Sequence, residues 1–206
     1  MRSKQDTLRH PLWAAMLALT VACAAPEHSA EGEGAEAEPM AAEVHEMPPA
    51  PMADPADVES VEAIVTAVYE SISGDAGVPR DWDRFRSLFL PGARLMPVAT
   101  EHMENGRRSS VSSMSPEEFA EGTDEFFETE GFYEVEIGNV TETYGDIAHR
   151  FSSYASMRTD DPNEEPFNRG INSFQLLHDG ERWWILSIFW QHEPDAGPIP
   201  EKYLDG

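Results

Sequence analysis

The stretch that decides the fold is Arg169-Gly-Ile-Asn-Ser-Phe-Gln-Leu-Leu-His178-Asp179-Gly180-Glu-Arg-Trp-Trp-Ile-Leu-Ser-Ile-Phe-Trp-Gln-His192. Two runs rich in β-branched and aromatic residues flank Asp179-Gly180, a dipeptide that suits a tight hairpin because glycine accepts positive φ. Upstream, residues 132–143 and 147–159 show the same period of two and are joined by Tyr144-Gly145-Asp146. Residues 160–166 are polar and form a longer turn. The spacing therefore predicts four consecutive strands, at 132–143, 147–159, 169–178 and 181–192.

Further upstream the period changes to that of a helix. Val58, Val61, Val65, Val68 and Ile72 recur at steps of three and four behind Asp54-Pro55, which supplies a cap and a first-turn proline, and Gly74 ends the run. Asp81 to Phe89 reads as a second helix with Trp82, Phe85, Leu88 and Phe89 on one side, closed by Pro91-Gly92. A strand is expected from Ala93 to Ala99, then a hairpin or loop through Asn105-Gly106. Ser115-Pro116-Glu117-Glu118 is a capping box that opens a third helix running to Gly131. This order predicts an α+β domain: a curved antiparallel sheet with three helices from the N-terminal half packed on one face.

The segment Asp81-Trp82-Asp83-x-Phe85-x-x-Leu88-Phe89-x-Pro91-x-Ala93-Arg94-Leu95, the amphipathic first helix and the closing hairpin together resemble the nuclear transport factor 2-like superfamily, with its SnoaL-like and ketosteroid-isomerase-like members. A nearer similarity is to bacterial members carrying Arg169-Gly170-Ile171-Asn172-Ser173, Trp190-Gln191-His192-Glu193 and Pro198-Ile199-Pro200 with Tyr203-Leu204. The resemblance covers about residues 58–193. It implies a cone-shaped α+β fold whose opening often holds a small molecule, and it carries no catalytic residue over to this chain.

The N-terminus has the layout of a signal peptide: Arg2, Lys4 and Arg9 precede an uncharged run from Pro11 to Ala22. That run of about twelve is shorter than the ~20 residues a membrane span requires. It closes on Leu19-Thr20-Val21-Ala22-Cys23, which resembles a lipobox and makes Cys23, the sole cysteine, the expected lipid anchor. Ala24 is not the aspartate of inner-membrane retention, so an outer-membrane lipoprotein facing the periplasm is expected. Thr20 stands where such boxes usually carry leucine, and a soluble periplasmic protein is the alternative.

Residues 24–56 contain no Lys, Arg or aromatic side chain and read as a disordered acidic tether. The organisation expected is thus a signal peptide over 1–22, a tether over 23–56 and one domain over 57–206. Loss of the leader removes three positive charges and one negative, taking the formal charge from −25 to −27. So acidic a chain, with no basic stripe, excludes nucleic acid as a partner and leaves membrane contact to the lipid anchor. Met40, His45, Met47 and Met52 lack a ligand spacing, so no metal and no cofactor are expected.

With Asp179-Gly180 as a two-residue turn, Leu176 pairs with Trp183, Phe174 with Ile185 and Asn172 with Ser187. One face then carries Phe174, Leu176, Trp183, Ile185 and Phe189 with Asn172, Ser187 and Gln191 as its polar members. The other carries Ile171, Trp184, Leu186, Ile188 and Trp190 with Arg169 and His192, and Arg169 faces Trp190 as a cation–π pair. Two apolar faces predict either a sheet-to-sheet homodimer or a lid formed by Ile199, Tyr203 and Leu204 of the Pro-rich tail.

The expected ligand is a small apolar molecule, with Asn172, Ser187, Gln191, Tyr154, Arg169, Trp190 and His192 as pocket candidates. Proton-transfer chemistry of the isomerase or dehydratase kind is the enzymatic alternative, with His149, His192 or Glu193 as base and Tyr154 as hydrogen-bond donor. A dimeric interaction module is the third reading.

Overall fold

The structure, a computed structural model, describes residues 50–204. The signal peptide, Cys23 and the tether up to residue 49 lie outside the described residues.

The first predicted helix is two. Asp54 caps α1 (Pro55–Val58) by accepting the Ala56 N–H, and Ser60 then caps α2 (Val61–Ile72) by accepting the Ala63 N–H at 3.0 Å. The valine spacing continues across this break, so periodicity alone does not reveal it. Ser60 is legible as a cap only if its hydroxyl is known to turn inward. Ile64, Val65, Val68, Tyr69 and Ile72 are buried. At its C-terminal end α2 leaves orphan carbonyls, and buried Arg80 donates to Ile72 O at 2.9 Å and Gly74 O at 2.7 Å, as well as to Val78 O. α3 (Trp82–Ser87) is capped by Asp81, and α4 (Pro116–Thr129) has the predicted capping box between Ser115 and Glu118.

Six strands form one sheet in the order β2-β1-β6-β5-β4-β3, with β1 (Phe89–Met103), β2 (Gly106–Val111), β3 (Tyr133–Tyr144), β4 (Ile147–Met157), β5 (Asn168–His178) and β6 (Trp183–His192). The sheet is mostly antiparallel, but β1 runs parallel to β6, a pairing the sequence pattern did not anticipate. β1 also starts earlier than expected. Pro91-Gly92 falls within it as an irregularity between Phe89 and Arg94, with Gly92 at φ +90°, instead of closing the preceding helix. The hairpin expected around Asn105-Gly106 does form between β1 and β2, with Glu104-Asn105 as its turn and Gly106 paired with Met103.

The register of the last hairpin differs from the expected one. β5 and β6 stop at His178 and Trp183, so residues 179–182 form a four-residue connection, and Leu176 pairs with Ile185. A bulge follows, because Leu186 and Ser187 both fall between the inward-facing Ile185 and Ile188. Phe174 then pairs with Ile188 and Asn172 with Trp190. The inner face under the helices accordingly carries Ile185, Ile188, Trp190 and His192, while Leu186 and Phe189 lie outward and are exposed.

Ile64, Phe85, Leu88, Phe174, Leu176 and Ile185 are among the most deeply buried apolar side chains, each contributing about 1.5–3 kcal/mol by leaving water. On the outer face the C-terminal tail returns through α5 (Glu193–Ala196) and a single 3-10 turn, Glu201–Tyr203. Tyr203 stacks on Phe151 with ring centroids 5.2 Å apart, and the Leu204 backbone fills the place where Gly138 would carry a Cβ. This is the lid arrangement, applied to the β3–β4 end of that face.

Candidate functional site

Strand pairing arranges the inner face in rows, and the rows change character along it. Ala148, Leu176 and Ile185 occupy one row, and Phe174, Ile188 and Leu95 the next, beside Arg150. Beyond these come Asn139, Ser152, Asn172 and Trp190, then Glu136, Tyr154, Gly170 and His192, and finally Glu134, Ser156 and Asn168. Half of the face is core, and half presents polar side chains inward. Such groups cost free energy to bury unless they are paired, so their partners define the site.

Glu134 stands at the centre of these contacts. Its carboxylate accepts from Ser156 Oγ at 2.8 Å and from Asn172 Nδ2 at 3.4 Å. Asn172 Nδ2 also donates to the Tyr69 hydroxyl at 3.1 Å, and Tyr69 is 2.6 Å from Ser152 Oγ. The Glu134 backbone N–H donates to Ser73 Oγ, which in turn donates to Tyr69 O, so the end of α2 fixes where this carboxylate stands. In the adjoining row Tyr154 Oη and Asn168 Nδ2 each lie 2.8 Å from His192 Nδ1. Gly170 leaves room for this tyrosine, since a Cβ there would lie 2.5 Å from the Tyr154 oxygen.

The electrostatics follow from burial. Loss of water pushes the Glu134 carboxyl up from its usual range to about 7, although hydrogen bonds from Ser156 and Asn172 pull the other way. Burial and the nearby Glu134 charge push both Tyr69 and Tyr154 up, so both hydroxyls keep their protons. Burial lowers His192, favouring the neutral ring. As a residue Glu134 is only half-buried, so its carboxyl is shielded yet not sealed. Trp190, Phe119, Phe126 and Met114 are partly buried apolar side chains packed against the core.

Arg150 is a separate matter. Its guanidinium, almost fully buried, pairs with Glu136 at 2.5 Å and Glu62 at 3.3 Å and donates to Thr141, a fully satisfied network between β3, β4 and α2.

Of the seven pocket candidates, the structure brings Asn172, Tyr154, Trp190 and His192 onto the inner face and places three elsewhere. Ser187 and Gln191 point outward, Gln191 bonding Thr100 at 3.0 Å, because the bulge at Leu186 reverses their side. Arg169 also lies outward and pairs with Glu193 at 3.5 Å, and the expected cation–π contact with Trp190 is absent because Trp190 lies opposite Asn172 on the other face. Among the expected bases, His149 sits on the outer face against Ser173 and Phe151, and Glu193 accepts the Ile199 N–H of the tail.

Glu134, Tyr69, Ser152 and Ser156 were missed. Glu134 lies in Tyr133-Glu134-Val135-Glu136, where alternation suggests glutamates facing water. Here the two glutamates face inward, and Val135 is exposed. The available signal was the inward polar set of the next strand, Ser152, Tyr154 and Ser156, which pairs with that face. Among the described residues no three His, Cys, Asp or Glu side chains converge as metal ligands.

No family model matches the chain, and no curated protein does. Among solved structures, a protein of unknown function with a cystatin-like fold from Nostoc punctiforme is 12% identical with a TM-score of 0.48, covering 65% of this chain and 89% of its own. A nuclear transport factor 2-like protein of unknown function from Shewanella baltica is 12% identical with a TM-score of 0.40, covering 65% of this chain and 96% of its own. At this level of similarity no residue role passes from either protein to this chain.

Proposed function

We propose that the polar half of the inner face is a small-molecule site in which the Glu134 carboxyl exchanges a proton with the ligand. One observation carries this reading: a half-buried carboxyl held near pH 7, pinned by Ser156 and Asn172, with two protonated tyrosines and a neutral histidine on the same face. A general base works best when its pKa lies close to the working pH, because it is then largely ionised yet still basic enough to take a proton. A carboxylate paired with a cation is held in its charged form. Glu134 has no cation among its hydrogen-bond partners, whereas neighbouring Glu136 has Arg150.

Proton abstraction by Glu134 from an acidic C–H or N–H leaves negative charge on the ligand. The protonated Tyr154 and Tyr69 hydroxyls supply dipoles on the same face, and Trp190, also on that face, suits a ligand with an apolar body. Isomerisation and dehydration are the reaction classes this set serves. The leader and Cys23 support, by sequence pattern alone, delivery of this domain on a lipid anchor, which metabolic labelling with a palmitate analogue tests.

The function is tested by native mass spectrometry of the protein purified from its own cells, with retention of the bound molecule followed from pH 5 to 9. A retained small molecule whose binding steps near pH 7, with the step lost in Glu134→Gln, supports the reading. Binding that is flat across that range, or unchanged in the variant, overturns it.

A further inference from the structure

The polar half of the inner face is closely paired, which makes its two unpaired groups informative. Each of the other described tryptophans has a partner. Trp82 meets the rings of Phe85, Phe119 and Phe127 and donates to Asp124. Trp183 packs edge-on against His178, and Trp184 lies under the Arg182 guanidinium and donates to Asp179. Trp190, half-buried and inward, has neither a ring partner nor an acceptor for its indole N–H among the described residues.

Asn172, directly opposite Trp190 across β5 and β6, commits its Nδ2 to Tyr69 and Glu134, which turns Oδ1 away from them. Among the described residues nothing donates to that oxygen. Among the described residues the sealed side-chain nitrogens and oxygens without a hydrogen-bond partner are Ser153 Oγ and Arg158 Nη1, so neither Trp190 Nε1 nor Asn172 Oδ1 is fully sealed from solvent. A donor and an acceptor thus sit on directly paired residues, whose Cβ atoms are about 5 Å apart as cross-strand neighbours.

We propose that Trp190 and Asn172 form the recognition element of the site and that its ligand is a planar cyclic amide. This rests on the reading of the inner face as a ligand site. The ring C=O accepts the indole N–H while the adjacent ring N–H donates to Asn172 Oδ1. A lactam edge presents these groups next to each other and pointing the same way, which a lone hydroxyl or ketone does not. A planar ring keeps both groups in one plane, and Trp190, which packs against the core without a ring partner, offers an aromatic neighbour.

The test titrates the full chain with three probes of nearly equal shape: quinolin-2(1H)-one, its N-methyl derivative, and coumarin, in which oxygen replaces the N–H. Binding is read from the Trp190 indole and Asn172 side-chain signals in proton–nitrogen correlation spectra. Quinolin-2(1H)-one is expected to shift both signals and to bind about tenfold tighter than either analogue, since a site built to pair an N–H rejects molecules lacking it. Equal binding of coumarin overturns the lactam assignment and leaves the site reading intact. Absence of any shift with all three also overturns it. The site reading is then judged separately, by whether Glu134 titrates near pH 7 in the same samples. Because the comparison is between probes on the unaltered protein, it does not depend on a variant folding.

Discussion

Replacing Glu134 by glutamine changes the pH dependence of stability in a way that follows from its surroundings. The folded carboxyl titrates at about 7, against 4.5 for the free side chain, with burial as the main cause. The raised value means that the folded state holds this proton more tightly than the unfolded state does. The associated stability is therefore complete below about pH 4.5 and is lost as the pH rises through 7. A rise of that size corresponds to roughly 3 kcal/mol at ~1.4 kcal/mol per pH unit, and partial exposure of the residue screens it to about 2 kcal/mol.

The glutamine side chain of Glu134→Gln has nearly the same shape and no titration. Its carboxamide still pairs with Ser156, whose hydroxyl rotates to accept where it formerly donated. The variant and the parent are expected to melt together at pH 5, whereas at pH 8.5 the variant is more stable by about 2 kcal/mol, or roughly 4–8 °C in Tm for a domain of this size. Differential scanning calorimetry from pH 5 to 8.5 reads both curves. Parallel curves with no divergence across pH 6–8 would refute the reasoning, because Glu134 would then be ionised throughout at no cost.

Arg150→Met leaves Glu136 half-buried without its cation and is expected to destabilise the domain by about 3 kcal/mol or more, read as a lowered urea midpoint with unchanged slope. Gly170→Ala sets a Cβ 2.4 Å from Gln191 O and 2.5 Å from the Tyr154 oxygen. About 1–3 kcal/mol of overpacking is the expected cost, together with a disturbed Tyr154–His192 contact visible in histidine ring signals. Tyr203→Ala removes the stack on Phe151 and is expected to cost about 1–2 kcal/mol while hastening amide exchange in residues 197–204, with strands β5 and β6 unaffected.

How far the sequence could be read depended on whether a feature is local. The capping box at Ser115, the Asn105-Gly106 hairpin and the four-strand run are short-range signals that need no knowledge of the rest of the fold. The bulge at Leu186 is not of that kind. Ile185-Leu-Ser-Ile188 reads as unbroken alternation only until both isoleucines must reach the same core, and one extra residue then sends Ser187 and Gln191 outward.

That residue and the longer turn changed the side of the candidates on β6: Ser187 and Gln191 left the face of Asn172, and Trp190 and His192 joined it. Asn172 kept its expected side because it lies on β5, away from the irregularity, and Tyr154 was found because a buried phenol is conspicuous in a strand. Glu134 was hidden by the usual meaning of glutamate in an alternating strand. It is visible only when β3 is laid against Ser152, Tyr154 and Ser156 of its neighbour. The signal peptide and lipobox rest on composition and spacing alone and fall outside the described residues.

Burial should leave Glu134 carrying a proton at near-neutral pH. Carbon-13 detection of its side-chain carboxyl, assigned by comparison with Glu134→Gln, follows that group alone through a pH titration. A midpoint near 7 is expected, above the 4.5 of the free side chain. A midpoint near 4.5 would contradict it and leave the inner-face cluster as an ordinary paired network.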